Sequence, residues 1–392
     1  MKNKKGTQPK AIIIGSADVI KLCVIRAVGS FGCDVDVVHL GKKKKFIHPV
    51  DYYSKYVNRY YFTSRDRLIQ FLLNNYSRSD TKPIIFTLDD YSTFLIDKAH
   101  ERLNSSFLFA HLSSDGSLAD LMNKHLLKTK ALEVGMNVVQ GWPIPLQDGE
   151  FQIPDGIKFP CFVKGLQSMY VSKGVQCKCD SYKELQNLLE RCKKQYPYPV
   201  YAEEYISIDK DFGVIGVSDG NKCVIPAKAE LLEMGQGSVN GVSMLGRVSP
   251  LEDAELYQQI EKLLEKLHYV GIFNIDFVES NGKIYFVELN FRFAAYGYGV
   301  FRAGCNLPAI FINTLQNCGI GSLQNTIVGS YYYLNEKIGL TSVIEKAISI
   351  AKYRALKKKA DFRLVKDKED SKPYCLFVFK YFLSYVKSRI NL

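Results

Sequence analysis

The run IFNIDFVESNGKIYFVELNFR, Ile272 to Arg292, constrains this chain more than any other stretch. Two segments rich in β-branched and aromatic residues flank Asn281-Gly282, a dipeptide suited to a two-residue hairpin turn. The spacing predicts two antiparallel strands. The second carries Glu288, Asn290 and Arg292 at every second position near its end. Alternate residues share one face of a strand, so these three project together, while Tyr285, Val287 and Leu289 point the other way and are expected to be buried. The first strand adds Asp276. Two carboxylates and an amide oxygen on adjacent strands make an all-oxygen set. Hard divalent ions such as Mg²⁺ take such donors, with waters and phosphate oxygens completing the shell. Arg292, one step further out, is placed to hold negative charge on a transferring phosphoryl group.

At 392 residues the chain exceeds one small core, and two or three packed units are expected. The net charge of +12 is unevenly placed: residues 337–392 carry 14 Lys/Arg against 5 Asp/Glu, and residues 1–10 add +4. The stretch between is close to neutral. With the basic character confined to the ends, nucleic-acid binding is not expected. The ten Cys show no zinc or redox spacing, and Cys177-x-Cys179 is neither. They read as reduced, mostly buried thiols of a cytoplasmic protein. No signal-peptide pattern opens the chain, and no run of 18 apolar residues predicts a spanning helix.

Ala11–Ile14, a Gly15-Ser16 turn, helical spacing from Val19 to Val28 and the alternating Val35–Leu40 read as a βαβ unit. Its single glycine turn is not a dinucleotide fingerprint. A helix over RLIQFLLNNY, then a strand, an acidic turn and a helix across KPIIFTLDDYSTFLIDKAHERL, complete an open, mostly parallel α/β unit over residues 1–115. Asp89 and Asp90 lie beyond a strand's carboxyl end, where such sheets bind ligands, and also read as helix N-caps. The pattern then changes. LADLMNKHLLKTKALEVG reads as one long helix closed by Gly135. FPCFVKGLQSMYVSKGVQCKC reads as strand, small-residue loop, strand. A helix with a Ser181–Glu184 capping box, the strand YPVYAEEYI, a hairpin turning at Asp219-Gly220 and an amphipathic helix lead into the opening hairpin. In the basic tail, a helix opening at Ser342–Glu345 runs into KYRALKKKAD, and an aromatic segment, KPYCLFVFKYFLSYVKSRI, follows.

In this order the pieces resemble the ATP-grasp superfamily, and its carboxylate–amine ligases in particular, including carbamoyl-phosphate-synthase-like and D-aspartate-ligase-like members. The resemblance rests on a strand Lys (Lys164) and a small-residue loop (Ser172, Lys173, Gly174, Val175). It continues with an E-E-[FY]-I hinge strand (Glu203, Glu204, Tyr205, Ile206), an acid soon after (Asp211) and the D…E-x-N-x-R hairpin. It runs from about Asn123 to Asn313. It implies a Rossmann-like pre-ATP-grasp α/β unit at 1–115 and an α+β ATP-grasp unit at 116–336 that clamps ATP beneath a lid at about 157–207. A basic, helical and aromatic extension at 337–392 would follow.

By the same resemblance, Asp276, Glu288 and Asn290 would bind Mg²⁺ or Mn²⁺. Lys124 and Lys164, with Ser172, Lys173 and Gly174, would contact phosphates. Glu203, Glu204, Tyr205 and Ile206 would meet adenine, and Asp211 ribose. Arg292 and Lys228 would act at the reacting centre. The sequence departs from the family pattern in its glycine-poor phosphate loop, in Asp rather than Glu at 211, and in the Phe-Ala-Ala-Tyr-Gly that follows Arg292.

The activity so implied is ATP-dependent: a small carboxylate becomes an acyl phosphate and passes to an amine, with release of ADP and phosphate. Two alternatives stay open, bicarbonate activation on the same fold and an ATP-binding sensor without turnover. A homodimer is compatible with the sequence. The tail admits two readings, helices packed on the body or peripheral contact with an anionic membrane.

Overall fold

The computed structural model describes residues 8–43, 48–170, 174–235 and 243–390. Apolar runs near the start pair as a parallel sheet. β1 (Lys10–Gly15) lies between β2 (Asp34–Leu40) and β4 (Ile84–Thr87), with β3 (Val57–Thr63) outside β2. Ala11 to Ile14 are fully buried, as a strand covered on both faces requires. α1 (Asp18–Ser30) links β1 to β2, and α2 (Leu68–Tyr76) and α3 (Asp90–Lys98) follow. The strand order reverses between β1 and β4. There Asp89 caps α3 by accepting the Ser92 N–H at 2.8 Å, and also takes the Ser16 N–H of the β1–α1 turn at 3.2 Å.

The expected long helix is interrupted. A turn at Leu118–Leu121 stops, and Asn123 caps a new helix, α4 (Lys124–Glu133), by accepting the N–H groups of His125 and Leu126. Asn is a stronger cap than a mid-helix residue, so the chain restarts there. Lys124 thereby becomes the first residue of α4.

A smaller antiparallel sheet follows. β5 (Gly141–Ile144), β6 (Cys161–Gly165), β7 (Cys177–Cys179) and β8 (Val200–Glu204) lie in the order β7-β6-β8-β5. α5 (Tyr182–Gln195) presses Leu185, Leu188 and Leu189 onto Cys161, Val163 and Val200. Ser181 caps α5, but Glu184 reaches back to the Asp180 N–H rather than to that of Ser181, so the expected capping box is half made.

The large sheet is antiparallel through its centre. β9 (Lys210–Asp219), β10 (Cys223–Met234), β11 (Ser243–Ser249), β12 (Tyr269–Ser280), β13 (Lys283–Asn290) and β14 (Tyr331–Leu334) run in the order β14-β11-β10-β9-β12-β13. Asn281 and Gly282 close the β12–β13 hairpin with φ of 49° and 72°, as its turn requires. One face packs on α6 (Ala254–Lys266) through Leu256, Ile260 and Leu263 against Phe273, Ile275 and Phe277. Each such side chain, fully buried, contributes about 1.5–3 kcal/mol. The other face packs on α7 (Leu307–Leu315) and α1.

β13 departs from simple alternation. Asp276 pairs with Glu288, but Phe277 pairs with Phe286, so Val287 is an extra residue. This bulge shifts the phase of the strand. Ile284 and Phe286 join Leu289 in the core, and Tyr285 and Val287, expected to be buried, are only half-buried.

The basic tail is stitched into the molecule. α8 (Glu336–Ile344) starts at an Asn335 cap, so Ser342–Glu345 ends this helix rather than opening one. Ser349 caps α9 (Ile350–Lys359), Phe362–Arg363 extends the sheet beside β14, and α10 (Lys372–Ile390) follows. Arg26 of α1, buried, donates to Asp370 Oδ2 at 2.9 Å and to the carbonyls of Leu364, Val365 and Asp370. Asp370 also accepts from Ser54 Oγ and the Lys55 N–H. The pair is satisfied on both sides, the condition under which buried charge is tolerated.

Candidate active site

β12 and β13 place the oxygen donors. Asp276 sits directly opposite Glu288, and Asn274 opposite Asn290, on one face of the sheet. Asn290 Nδ2 and Asn274 Nδ2 each donate to the Asp276 carboxylate at 3.1 Å. Burial, and then the neighbouring Glu288 charge, push the Asp276 carboxyl up to about 7. Burial also acts to raise Glu288, but the Lys124 ammonium and hydrogen bonds from Lys124 and Ser168 outweigh it and hold that carboxyl at about 2. These bonds are 2.8 and 2.5 Å. Two carboxylates face to face are hard oxygen donors of the kind a divalent cation takes with phosphate oxygens as remaining ligands. The amide oxygens of Asn274 and Asn290 are turned to Tyr296 and Arg292, and no third carboxylate joins among the described residues. Asn274 was missed in the sequence, although its place two residues before Asp276 signals the shared face.

Arg292 lies just beyond. Its Nε donates to Asp90 Oδ1 at 2.7 Å and its Nη2 to Asn290 Oδ1 at 3.3 Å. Burial acts to lower the Arg292 pKa, but the Asp90 carboxylate reverses this and raises it, so the guanidinium stays charged.

A second cationic group lies on the small sheet. Lys164 of β6 donates to Glu203 Oε1 at 2.8 Å, and Lys128 of α4 pairs with Glu203 Oε2. Both lysines are buried. Burial, and then Lys164, push Lys128 down to about 8. Lys128 escaped the sequence reading, although its i+4 spacing puts it on the same helical face as Lys124. Glu203, expected at a base edge, is instead turned between the two lysines. The long cations beside it need a carboxylate more than a solvent-facing strand end does. Glu204 pairs at the surface with Lys158 at 3.2 Å, Tyr205 is exposed beneath the Lys178 ammonium, and Ile206 is half-buried.

Asp211 of β9 pairs in register with Val278, which shares a face with Asp276, so it lies on the site side of the sheet. Burial raises its pKa. Ser172 and Lys173 fall outside the described residues. Gly174 adopts φ +93°, a conformation that favours glycine.

Lys228 is a correction. It pairs with Val214, which pairs with Ile275, whereas Asp276 belongs to the next row with Gly213 and Ala229. Adjacent rows point to opposite faces, so Lys228 lies across the sheet from the oxygen donors, with its ammonium 3.8 Å from Glu230.

A cleft of about 260 Å³ opens from Asp276, Asn290 and Arg292. Its walls include Ala17 of the β1–α1 turn, Tyr296, Tyr333 and Ile338. Tyr296 lies over Gly213, where a Cβ would run into its hydroxyl, and this hydroxyl donates to Asn274 Oδ1.

Residues 131–302 match the ATP-grasp domain model, with Lys124 and Lys128 just ahead of the matched stretch. The arginine-specific large chain of carbamoyl phosphate synthase from Bacillus subtilis is 33% identical over 117 residues, which are 29% of this chain and 11% of that much longer relative. Among solved structures, the L-amino acid ligase from Bacillus licheniformis superimposes with a TM-score of 0.58 at 14% identity, covering 83% of this chain and 80% of the other. Biotin carboxylase from Campylobacter jejuni gives 0.62 at 15% identity, covering 83% and 75%. These likenesses concern the fold: mixed α/β content with a parallel sheet at the N-terminal end. Residues 131–302 carry the sequence pattern of an ATP-grasp domain.

Proposed function

We propose that the protein is an ATP-dependent ligase that joins a carboxylate to an amine, releasing ADP and phosphate. One observation carries this reading: Asp276, Asn290 and Arg292 line a cleft, and Glu288, paired with Asp276 across the hairpin, joins them to the buried Lys124. Carboxylates are poor electrophiles until one oxygen becomes a good leaving group. A carboxylate oxygen attacks the γ-phosphorus, the bond to the β–γ bridging oxygen breaks, and ADP leaves. The amine then attacks the acyl carbon, phosphate departs with the C–O bonding pair, and the amine proton passes to solvent. Such chemistry needs position and charge neutralisation rather than a protein nucleophile.

Each residue group has a part. Asp276, Glu288 and Asn290 hold Mg²⁺ or Mn²⁺, which supplies positive charge to the phosphate oxygens when bound. Lys124 and Lys164 exchange their carboxylate partners, Glu288 and Glu203, for phosphates, and Gly174 lets backbone approach them. The hinge segment at Glu204, Tyr205 and Ile206 borders adenine, and Asp211 meets ribose. Arg292 holds the reacting carboxylate and the charge that develops on the transferring group. In this scheme residues 1–115 and 116–336 form two units with a lid at about 157–207, and residues 337–392 form a basic extension.

The cleft favours a carboxylate larger than bicarbonate, because its volume of about 260 Å³, walled by Tyr296, Tyr333 and Ile338, exceeds what that small ion fills. The test is Mg²⁺-dependent ADP release from ATP with pooled amino acids, small carboxylic acids and bicarbonate, using Glu288→Ala as control. Release that needs an organic acid pool and vanishes in the variant supports the ligase. Release with bicarbonate alone points to the carboxylase chemistry instead.

A further inference from the structure

α10 is apolar on two sides. Its inner side packs down: Phe377 is buried, and Tyr381 meets Thr341 at 3.3 Å. Its outer side leaves Val378, Phe379, Phe382 and Leu383 exposed by 41, 57, 60 and 45%. Cys375, Phe379 and Phe382 recur at helical spacing, so the exposure forms a stripe rather than scattered positions. Beside it an apolar groove of about 300 Å³ opens between α8, α9 and α10. Leu340, Val343, Ile350 and Phe382 line it, and Arg354 and Lys357 stand in its wall.

The charge around this face is mostly positive, with Glu233 meeting Lys352 of α9 at 2.9 Å. α9 carries five Lys/Arg, α10 four, and neither holds an acid. Burial, and then Arg363 and Lys366, lower the pKa of Lys357, which marks a local crowd of cations. Among the described residues no helix is long and apolar enough to cross a membrane. A helix with an exposed aromatic stripe, a cationic border and insufficient hydropathy to span has the features of one that lies in a lipid interface.

We infer that this face docks on an anionic lipid surface. Phe379, Phe382 and Leu383 enter the boundary between headgroups and acyl chains, and Arg354 and Lys357 meet the lipid phosphates. The cations complement that surface, and the exposed apolar stripe suits the boundary beneath its headgroups. The inference is independent of the ligase chemistry.

The experiment is co-sedimentation of the full-length protein with vesicles of phosphatidylcholine alone or with about a quarter phosphatidylglycerol, at about 0.1 M salt where surface charge is still felt. The expected result is pelleting only on the anionic vesicles, suppressed by high salt. Phe379→Ser/Phe382→Ser and, separately, Arg354→Glu/Lys357→Glu should each weaken partitioning at least about tenfold with thermal melting unchanged, since each cation near such a surface contributes about fivefold. Absence of pelleting, equal pelleting on neutral vesicles, or pelleting unchanged in both variants would overturn the inference. So would a wild-type dimer that becomes a monomer in the double-serine variant, since the stripe would then belong to a protein interface.

Discussion

Asp90, in the first turn of α3, accepts a hydrogen bond from Arg292 Nε at 2.7 Å and so ties the parallel sheet's helix to the cation at the end of β13. The aspartate opens the helix that follows β4 of the parallel sheet, and the arginine lies just past β13 of the large sheet. Asp90→Asn keeps a hydrogen-bond acceptor but removes the charge that holds the guanidinium. Turnover should fall about tenfold to a hundredfold, with ATP affinity within about twofold of wild type, because misplacing a reacting group acts on the chemical step. Steady-state kinetics beside calorimetric ATP binding separates the two effects.

Glu288→Gln removes a carboxylate from the oxygen set and leaves buried Lys124 without its ion-pair partner. ADP release should drop at least about a hundredfold. Breaking such a pair should also cost about 3–5 kcal/mol of stability. Thermal melting together with the ADP assay measures both, and retained turnover would remove Glu288 from the metal site.

Lys128 gives stability an alkaline dependence. Its pKa in the folded protein is about 8 against 10.5 for the ordinary side chain, so between these values the unfolded state binds more protons. Stability therefore rises with pH across that window, and the penalty of the buried charge is fully present below about pH 8. Relative to Lys128→Met, wild type should gain about 2 kcal/mol between pH of about 7 and 9.5, at about 1.4 kcal/mol per unit above the folded pKa. Denaturant unfolding of both proteins at the two pH values checks the sign. A difference that stays flat would mean that Lys128 is not depressed.

Lys228 lies across the sheet from Asp276, with its nearest acid at 3.8 Å. Lys228→Ala should leave turnover within about twofold, as surface changes away from a site usually do. A loss of a hundredfold would place its side chain at the reacting centre after all.

Gly213 allows Tyr296 to lie flat over β9. Gly213→Ala forces the ring outward into the cleft, at a cost of about 1–3 kcal/mol from overpacking. KM for the carboxylate should rise more than KM for ATP, since Tyr296 lines the cleft together with Arg292.

The hairpin was legible because both of its signals are local. Asn281-Gly282 specifies a turn, and period-2 spacing puts Glu288 and Asn290 on one face whatever surrounds them. The bulge at Val287 was not legible, since it depends on how β13 seats against β12, and it leaves Tyr285 and Val287 only half-buried. Lys228 shows the same limit. Its face follows from the register of β10 against β9, which no spacing within its own segment encodes. Asp90 could be read as a helix cap or a site residue, and its partner is 202 positions away. The tail's sequence, basic and aromatic, does not say what it packs on. What anchors it is Asp370, which finds Arg26 only once the chain has folded.

The most direct test of the acyl-phosphate route follows the oxygen atoms. Pooled carboxylic and amino acids, exchanged to oxygen-18 in their carboxyl groups, are incubated with the protein, unlabelled ATP, Mg²⁺ and an amine pool, and the released phosphate is weighed by mass spectrometry. If the carboxylate attacks the γ-phosphorus and phosphate later leaves the acyl carbon, each phosphate formed in the reaction carries one heavy oxygen. Phosphate released with ordinary oxygen alone would show that water, not a carboxylate, accepts the γ-phosphoryl group, and would contradict the account.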